Sequence, residues 1–129
     1  MICVDTSVWI EALRDTVSPA AWHLGQLVES DVVLMPAPVR LELLAGAPGP
    51  SLSILADWSG ALGPIIPDDA TWRRAEAWVG EAIAAGQRFG LVDLLIAATA
   101  AEHHARVWSR DGDFERMQKL GFVEVYAAP

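Results

Sequence analysis

Residues 91–104 make up a segment of helical length that is apolar almost all the way round. A helix without a solvent face is typical of one buried between other elements, so this segment predicts neighbours packed on each of its sides. Short apolar runs bounded by turn residues are typical of buried strands. Runs of this kind predict strands at residues 1–4, 32–35, 62–67, 106–109 and 122–125.

Helical spacing of apolar residues fills the intervals between the predicted strands. It predicts helices at residues 7–14, 20–28, 39–45, 52–58, 69–83, 91–104 and 113–120. Strands that alternate with helices at crossover lengths form mostly parallel sheets with helices on both faces. We therefore predict an α/β fold, a three-layer α/β/α sandwich with a mostly parallel five-stranded sheet. The Pro/Gly-rich stretch at residues 46–50 is interpreted as an internal loop, since neither side of it can bury a core alone.

The composition predicts one domain spanning residues 1–129. Hydrophobic residues make up 53% of the chain and charged residues 20%, which argues against disorder. No stretch approaches about 18 uncharged apolar residues and no basic start is present, so neither a membrane span nor a secretory signal is expected. The only cysteine, Cys3, excludes an intramolecular disulfide and a Cys-rich zinc site. A soluble, cytoplasmic protein is expected.

The charge balance limits how the chain could bind nucleic acids. The net charge is -8, and Lys119 is the only lysine beside eight arginines. This balance argues against binding of nucleic acid through bulk charge. If the chain handles nucleic acid, another source of positive charge is needed.

Asp93 is the least ordinary acid in the sequence. It lies in Val92-Asp93-Leu94-Leu95, at the start of the predicted buried helix. Burying a carboxylate costs several kcal/mol unless charge or hydrogen bonds compensate. A position in the first helical turn returns only about 0.3 to 1 kcal/mol. A functional role for Asp93 is therefore predicted.

Two further acids lie just after predicted strands. Asp5 follows the first strand, and Asp111 follows the strand at residues 106–109. Open α/β sheets place their ligands at the carboxyl ends of strands, where the strand order reverses. If these two strands are neighbours, Asp5 and Asp111 meet there and Asp93 can project between them. Capping of a helix by Asp5, and by Asp113 in the later motif, remain open alternatives.

Carboxylates gathered in this way repel one another, by roughly 4 kcal/mol per pair at 4 Å and an effective dielectric of 20. A cation resolves the conflict, and carboxylates with water match Mg²⁺ or Mn²⁺ better than zinc. The histidines are interpreted as structural. His103 and His104 close a helix, and His23 stands alone in another.

Four motifs, each with an acid in an apolar setting, occur in the order and spacing found in the PIN-domain ribonucleases. They are Val4-Asp5-Thr6-Ser7, Arg40-Leu41-Glu42-Leu43, Val92-Asp93-Leu94-Leu95-Ile96-Ala97-Ala98-Thr99-Ala100 and Ser109-Arg110-Asp111-Gly112-Asp113-Phe114. The resemblance covers nearly the whole chain. In size and detail the chain resembles the VapC toxins of bacterial type II toxin-antitoxin modules.

This resemblance implies a metal-dependent endoribonuclease that hydrolyses RNA phosphodiester bonds with Mg²⁺ or Mn²⁺. It also implies a homodimer and a cognate VapB-type antitoxin whose tail covers the active site, in a heterotetramer or a larger assembly. Asp5, Glu42 and Asp93 match the family's acids directly. Glu42 alone would be interpreted as a solvated helix residue. The fourth acid is Asp111 or Asp113; we favour Asp111 because it lies nearer the strand end, and keep Asp113 as an alternate ligand or as a residue that supports the ligands.

The resemblance also implies roles around these acids. Asp5, Asp93 and Asp111 would hold the metal, and Glu42 or Asp93 would accept a proton from water or position a second ion. Thr6 or Ser7 would orient Asp5 or hold the metal's water. The candidates for contacts with flanking RNA phosphates, with a purely solubilising role as the alternative, are Arg40, Arg88 and Arg110.

Two other classes of protein remain as alternatives. A receiver-like or phosphoaspartate protein also carries an Asp after its first strand. Phosphoaspartate phosphatases have a second Asp two residues further, where this chain has Ser7, and receivers have a lysine after a late strand, whereas Lys119 lies inside the last predicted helix. The second alternative is a catalytically silent PIN module whose acids only cap helices.

Overall fold

The structure, a computed structural model, describes residues 1–46 and 62–129, together with the single residues Ser53 and Asp57. The elements in chain order are β1 (Ile2–Val4), α1 (Thr6–Arg14), α2 (Pro19–Glu29), β2 (Val33–Leu34), α3 (Ala37–Gly46), α4 (Asp69–Ala84), α5 (Leu91–Glu102), β3 (Arg106–Trp108) and α6 (Asp113–Lys119). The predicted helix at residues 52–58 lies outside the described residues, apart from Ser53 and Asp57. Within the described ranges, no helix combines the length and hydrophobicity needed to cross a membrane.

Strand β1 is the centre of a parallel sheet with the order β2-β1-β3. Ile2 and Cys3 pair with Val33 and Leu34 of β2. On the other side, Val4 pairs with Trp108 at the end of β3. The predicted parallel sheet is thus confirmed, and the first and fourth predicted strands are neighbours, which is the condition for Asp5 and Asp111 to meet.

The third and fifth predicted strands are reduced to single bridges. Ile65 bridges Pro36 next to β2, and Val125 bridges Val107 of β3, both in parallel. Pro64 and Pro67 flank Ile65 and carry no N–H for a ladder, which limits this segment to one bridge. The sheet therefore has three strands and a bridge on each side among the described residues, so the predicted count of five strands is too high.

Helix α5 is buried between other elements, as its sequence predicted. Its residues 94–100 are all buried, and it contacts α3, α4, α6, β1 and β3. Thr99 is a polar residue in this run, and its Oγ1 donates a 2.8 Å hydrogen bond to the Leu95 carbonyl. That bond removes the cost of burying the hydroxyl. The helix is fixed in the core, and its first turn carries Asp93 to the edge of the sheet.

Candidate metal centre

The sheet order places a crevice beyond the ends of β1 and β3. The chain moves from β1 to β2 on one side and reaches β3 on the other, so the strand order reverses between β1 and β3. Asp5 follows β1, and its backbone N–H donates to the Trp108 carbonyl of β3 at 2.9 Å. Asp111 follows β3 by three residues. Both acids therefore lie at the same edge of the sheet.

Asp5 occupies the N-cap position of α1 but does not cap the helix. Its backbone is extended, and its side chain makes no capping hydrogen bond. Instead, Oδ2 accepts from Ser7 Oγ at 2.9 Å and from Ser109 Oγ at 2.7 Å. Asp5 is only 5% exposed, and Oδ1 accepts no hydrogen bond from the described residues. The capping interpretation of Asp5 is wrong, and Oδ1 stays available to a cation.

The side-chain hydroxyls of Ser7 and Ser109 both contact the Asp5 carboxylate. Each hydroxyl has one proton to donate, and both protons are directed to Asp5 Oδ2. The serine oxygens accept in turn: Ser7 Oγ from the Arg110 backbone N–H at 3.0 Å and Ser109 Oγ from the Asp111 backbone N–H at 2.9 Å. This network joins Asp5 to the turn that carries Asp111.

Sequence reasoning assigned no role to Ser109. The available signal was its place as the last residue of the predicted strand at residues 106–109. In the structure, the pairing of Val4 with Trp108 sets Ser109 opposite Asp5, and this register was not known from the sequence.

Ser109→Ala is expected to weaken binding of Mn²⁺ about 10- to 100-fold, the usual effect of removing a hydrogen-bond partner of a metal ligand. The variant loses the donor to Asp5 and the acceptor for the Asp111 backbone. Isothermal titration with Mn²⁺ measures the change, and Ser109→Thr should restore most of the affinity. Ser18→Ala is the control, because Ser18 caps α2 through Ala21 and makes no contact with these acids. Equal affinities of Ser109→Ala and the wild type would refute the orienting role.

Three carboxylates converge more closely than any predicted set. One oxygen each from Asp93, Asp111 and Asp113 lies within 4.8 Å of the other two. We call these three residues the acid cluster. Asp93 lies in the first turn of α5 and Asp113 is the first residue of α6, so both carboxylates benefit from a helix dipole. The N-cap of α6 is Gly112, and capping by Asp113 is therefore wrong.

Repulsion within the site changes the titration of Asp93. Partial burial, followed by the charges of Asp5, Asp111, Asp113 and Glu42, raises the pKa of Asp93 to about 6. The four motifs therefore meet in space, as the sequence indicated. When Asp93 ionises near neutral pH, its negative charge is repelled by those of its neighbours. A divalent cation would relieve that repulsion.

Glu42 lies on α3 at the edge of this group. It is exposed, and its Oε1 accepts from Thr6 Oγ1 at 2.8 Å. Thr6 therefore orients Glu42 rather than Asp5. Neither Glu42 nor Asp5 belongs to the acid cluster among the described residues, although both raise the pKa of Asp93. Of the predicted ligands, Asp93 and Asp111 thus lie in the acid cluster together with Asp113, and Asp5 lies outside it.

The candidate arginines differ in their environments. Arg110 forms an ion pair with Glu11 of α1, with hydrogen bonds of 2.6 and 3.3 Å. Arg40 is half-buried and Arg88 is exposed, and neither pairs with an acid in the described part of the chain. Sequence reasoning missed Arg116, whose guanidinium binds Asp113 of the acid cluster and Gln87. Its position three residues after Asp113 on a helix was the available signal.

The histidines and the cysteine lie apart from the acid cluster. His23 Nε2 is 2.7 Å from Tyr126 Oη, and His103 Nδ1 is 2.9 Å from the Thr99 carbonyl. These contacts are structural. Burial, with a contribution from the Asp5 charge, raises the pKa of the Cys3 thiol far above its usual range. Cys3 is therefore an inert core residue.

The donor set fits a hard divalent cation. The acid cluster offers one carboxylate oxygen from each of three residues, and Asp5 Oδ1 accepts no hydrogen bond from the described residues. Mg²⁺ and Mn²⁺ take oxygen ligands and retain waters, so a site with few protein oxygens suits them. Zn²⁺ prefers nitrogen and sulfur, which the described residues of this crevice do not offer.

The fold and the site define a parallel α/β protein with a carboxylate site at its switch point. Residues 2–120 match the family model described as PIN domain. The chain belongs to the PIN domain family, and the receiver-like alternative is therefore wrong.

Similar proteins agree with this family. The chain is 34% identical over 125 residues to ribonuclease VapC11 of Mycobacterium tuberculosis, covering 93% of each chain. The structure of DNA-bound VapBC from Salmonella typhimurium gives a TM-score of 0.81 at 15% identity and covers 97% of this chain and 96% of that one. VapBC-5 of Mycobacterium tuberculosis, a member of the VapBC family of toxin-antitoxin systems, gives 0.71 at 24% identity, covering 98% and 97%. These two likenesses support the fold.

Proposed function

We propose that this chain is the toxin of a VapBC-type toxin-antitoxin pair and acts as a metal-dependent endoribonuclease. The observation that carries the proposal is the meeting of Asp93, Asp111 and Asp113 beside Asp5 and Glu42 at the switch point of a PIN fold. The 34% identity to ribonuclease VapC11 over most of both chains supports RNA as the substrate.

Mg²⁺ or Mn²⁺ would be held by Asp93 and Asp111, with Asp5 Oδ1 and one oxygen of Asp113 as the further candidate ligands. When bound, such a cation supplies positive charge at the scissile phosphate and lowers the pKa of the attacking water. The cation thus answers the objection raised by the net charge of -8. Phosphate need not be attracted by the surface as a whole when charge is concentrated at the point of reaction.

The chain's own residues position the acids and accept the proton. Ser7 and Ser109 fix the orientation of the Asp5 carboxylate through its Oδ2 atom. Thr6 occupies Oε1 of Glu42, which leaves Oε2 as the atom that accepts the proton of the attacking water. Arg40 and Arg88 are proposed to contact flanking phosphates. Arg110 is less available for such a contact because it is paired with Glu11.

An antitoxin of the VapB type is proposed as the partner, in an assembly built on a toxin homodimer. Large apolar side chains are exposed next to two of the acids: Leu41 and Leu44 beside Glu42, and Leu91 and Val92 beside Asp93. Leu41 is 68% and Leu91 is 73% exposed. Exposed apolar side chains close in sequence to two of the acids suit a protein partner that covers the active site. The proposed location is the cytoplasm, where RNA and the antitoxin are available.

Induced expression of the chain is expected to arrest bacterial growth within one or two doublings, because RNA cleavage stops protein synthesis. Co-expression of the protein encoded in the adjacent reading frame should restore growth, and growth curves with and without it measure the effect. Asp5→Asn is the matched variant and should permit growth although it still binds that partner. A chain that binds the partner but never arrests growth or cleaves RNA would instead be a silent PIN module.

A further inference from the structure

Arg116 is held on three sides next to the acid cluster. Its Nη2 donates to Asp113 Oδ1, and its Nη1 donates to Gln87 Oε1. Its Cζ atom lies 4.8 Å from the ring centroid of Phe89, close enough for a cation–π contact. Gln87 and Phe89 belong to the loop that leads from α4 into α5. Arg116 therefore connects that loop to the first residue of α6.

This arrangement puts a permanent positive charge beside the space proposed for the cation. An arginine stays protonated at every physiological pH, so its charge cannot be withdrawn. Asp113 is shared, because its Oδ1 is bound by Arg116 while its carboxylate is also part of the acid cluster. Asp111 differs, since among the described residues it has no ion pair with a basic residue and its carboxylate accepts only from the Asp113 backbone N–H, at 2.9 Å.

We propose that Arg116 is the resident counter-ion of the acid cluster. It offsets repulsion among Asp93, Asp111 and Asp113 in the metal-free chain, and it lowers the affinity of the cluster for a divalent cation. Asp111 then binds the cation more fully than Asp113. This inference rests on the proposed metal-dependent function and concerns the regulation of that same site.

A different role for Arg116 would have the opposite consequence. If the guanidinium served only as a clamp that holds Asp113 in place, its removal would weaken cation binding. A counter-ion competes with the cation, so its removal strengthens binding. The sign of the change in affinity therefore separates the two roles.

The test measures Mn²⁺ binding to the metal-stripped full chain by isothermal titration. Arg116→Gln is expected to bind Mn²⁺ about three- to tenfold more tightly than the wild type, because a partly screened like charge is removed. In the absence of metal, the same variant should have a lower Tm. Arg116→Lys keeps the charge but cannot bind Asp113 and Gln87 through a fork, and its affinity should lie within about twofold of the wild type.

Arg74 provides a closely matched control. Its side chain is 40% exposed, as is that of Arg116, and it forms a 2.7 Å ion pair with Glu102. Its Cζ atom lies 5.6 Å from the Trp78 ring centroid. Glu102 is at the far end of α5, about 14 Å along the helix from Asp93. Arg74→Gln changes the net charge equally and should leave Mn²⁺ affinity within about twofold of the wild type.

The outcomes are distinct. Weaker or unchanged Mn²⁺ binding by Arg116→Gln, in a variant with a wild-type circular dichroism spectrum, would overturn the counter-ion role. Arg116→Met, which keeps an aliphatic contact with Phe89, supplies a second neutral variant if the glutamine variant does not fold. A wild-type chain that binds no Mn²⁺ would contradict the metal-dependent function itself, which is a different result from a failed comparison between variants.

Discussion

Replacing Asp93 with asparagine is expected to reduce RNA cleavage by at least about a hundredfold while the fold is retained. Loss of a residue that only supports a metal ligand already costs about 10- to 100-fold, and Asp93 is a proposed ligand. Asparagine has nearly the same shape and keeps one oxygen, so the packing of α5 is preserved. Cleavage of a labelled RNA at saturating Mn²⁺ measures the loss.

The matched control for this substitution is Asp69→Asn. Asp69 also lies in the first turn of a helix, α4, but it is exposed and lies outside the acid cluster. Its replacement should leave cleavage within about twofold of the wild type. Normal cleavage by Asp93→Asn would show that the acid cluster has been assigned the wrong role.

Without divalent cations, the same Asp93→Asn substitution is expected to stabilise the chain above pH 6, by about 1 to 3 kcal/mol. The folded chain raises the pKa of Asp93 to about 6, whereas the unfolded chain leaves it near 3.9. The folded state therefore binds more protons between about pH 4 and pH 6, and the stability contributed by protonated Asp93 is lost as the pH rises through that range. Asparagine cannot ionise and avoids the loss.

Thermal unfolding in EDTA at several pH values measures this effect as the Tm difference between Asp93→Asn and the wild type. The difference should be close to zero at pH 4 and reach a plateau above pH 6, at about 3 to 5 °C per kcal/mol. Saturating Mg²⁺ should reverse its sign, because only the wild type gains full stabilisation from the cation. A difference that is independent of pH would contradict the raised pKa of Asp93, which burial and the neighbouring carboxylates cause together.

The main features of this site could be predicted from the sequence. The apolar helix α5 had to be buried, and Asp93 in its first turn was therefore conspicuous. Acids just after two apolar runs predicted a meeting at the carboxyl edge of a parallel sheet if the two strands are neighbours, and the pairing of Val4 with Trp108 shows that they are. These features follow from local patterns and general rules for parallel sheets.

Contacts between side chains distant in sequence were not predictable. The hydrogen bond between Ser109 and Asp5 joins residues 104 positions apart, and that between Thr6 and Glu42 joins residues 36 positions apart. Both depend on strand register and side-chain rotamers, which a single sequence does not specify. The sequence offered Asp113 as an alternate to Asp111, but for the same reason it did not indicate that both join Asp93 in the acid cluster while Asp5 lies outside it.

The most direct test of a metal-dependent ribonuclease follows Mn²⁺ binding and RNA cleavage on the same metal-stripped preparation. Mn²⁺ is added stepwise, and binding heat and the cleavage rate are recorded at each concentration. We predict no cleavage in EDTA and a rate that rises with the fraction of chain bound to Mn²⁺, with half-saturation at the same concentration in both measurements. Full cleavage in the presence of EDTA, or saturation of binding without any cleavage, would contradict the account.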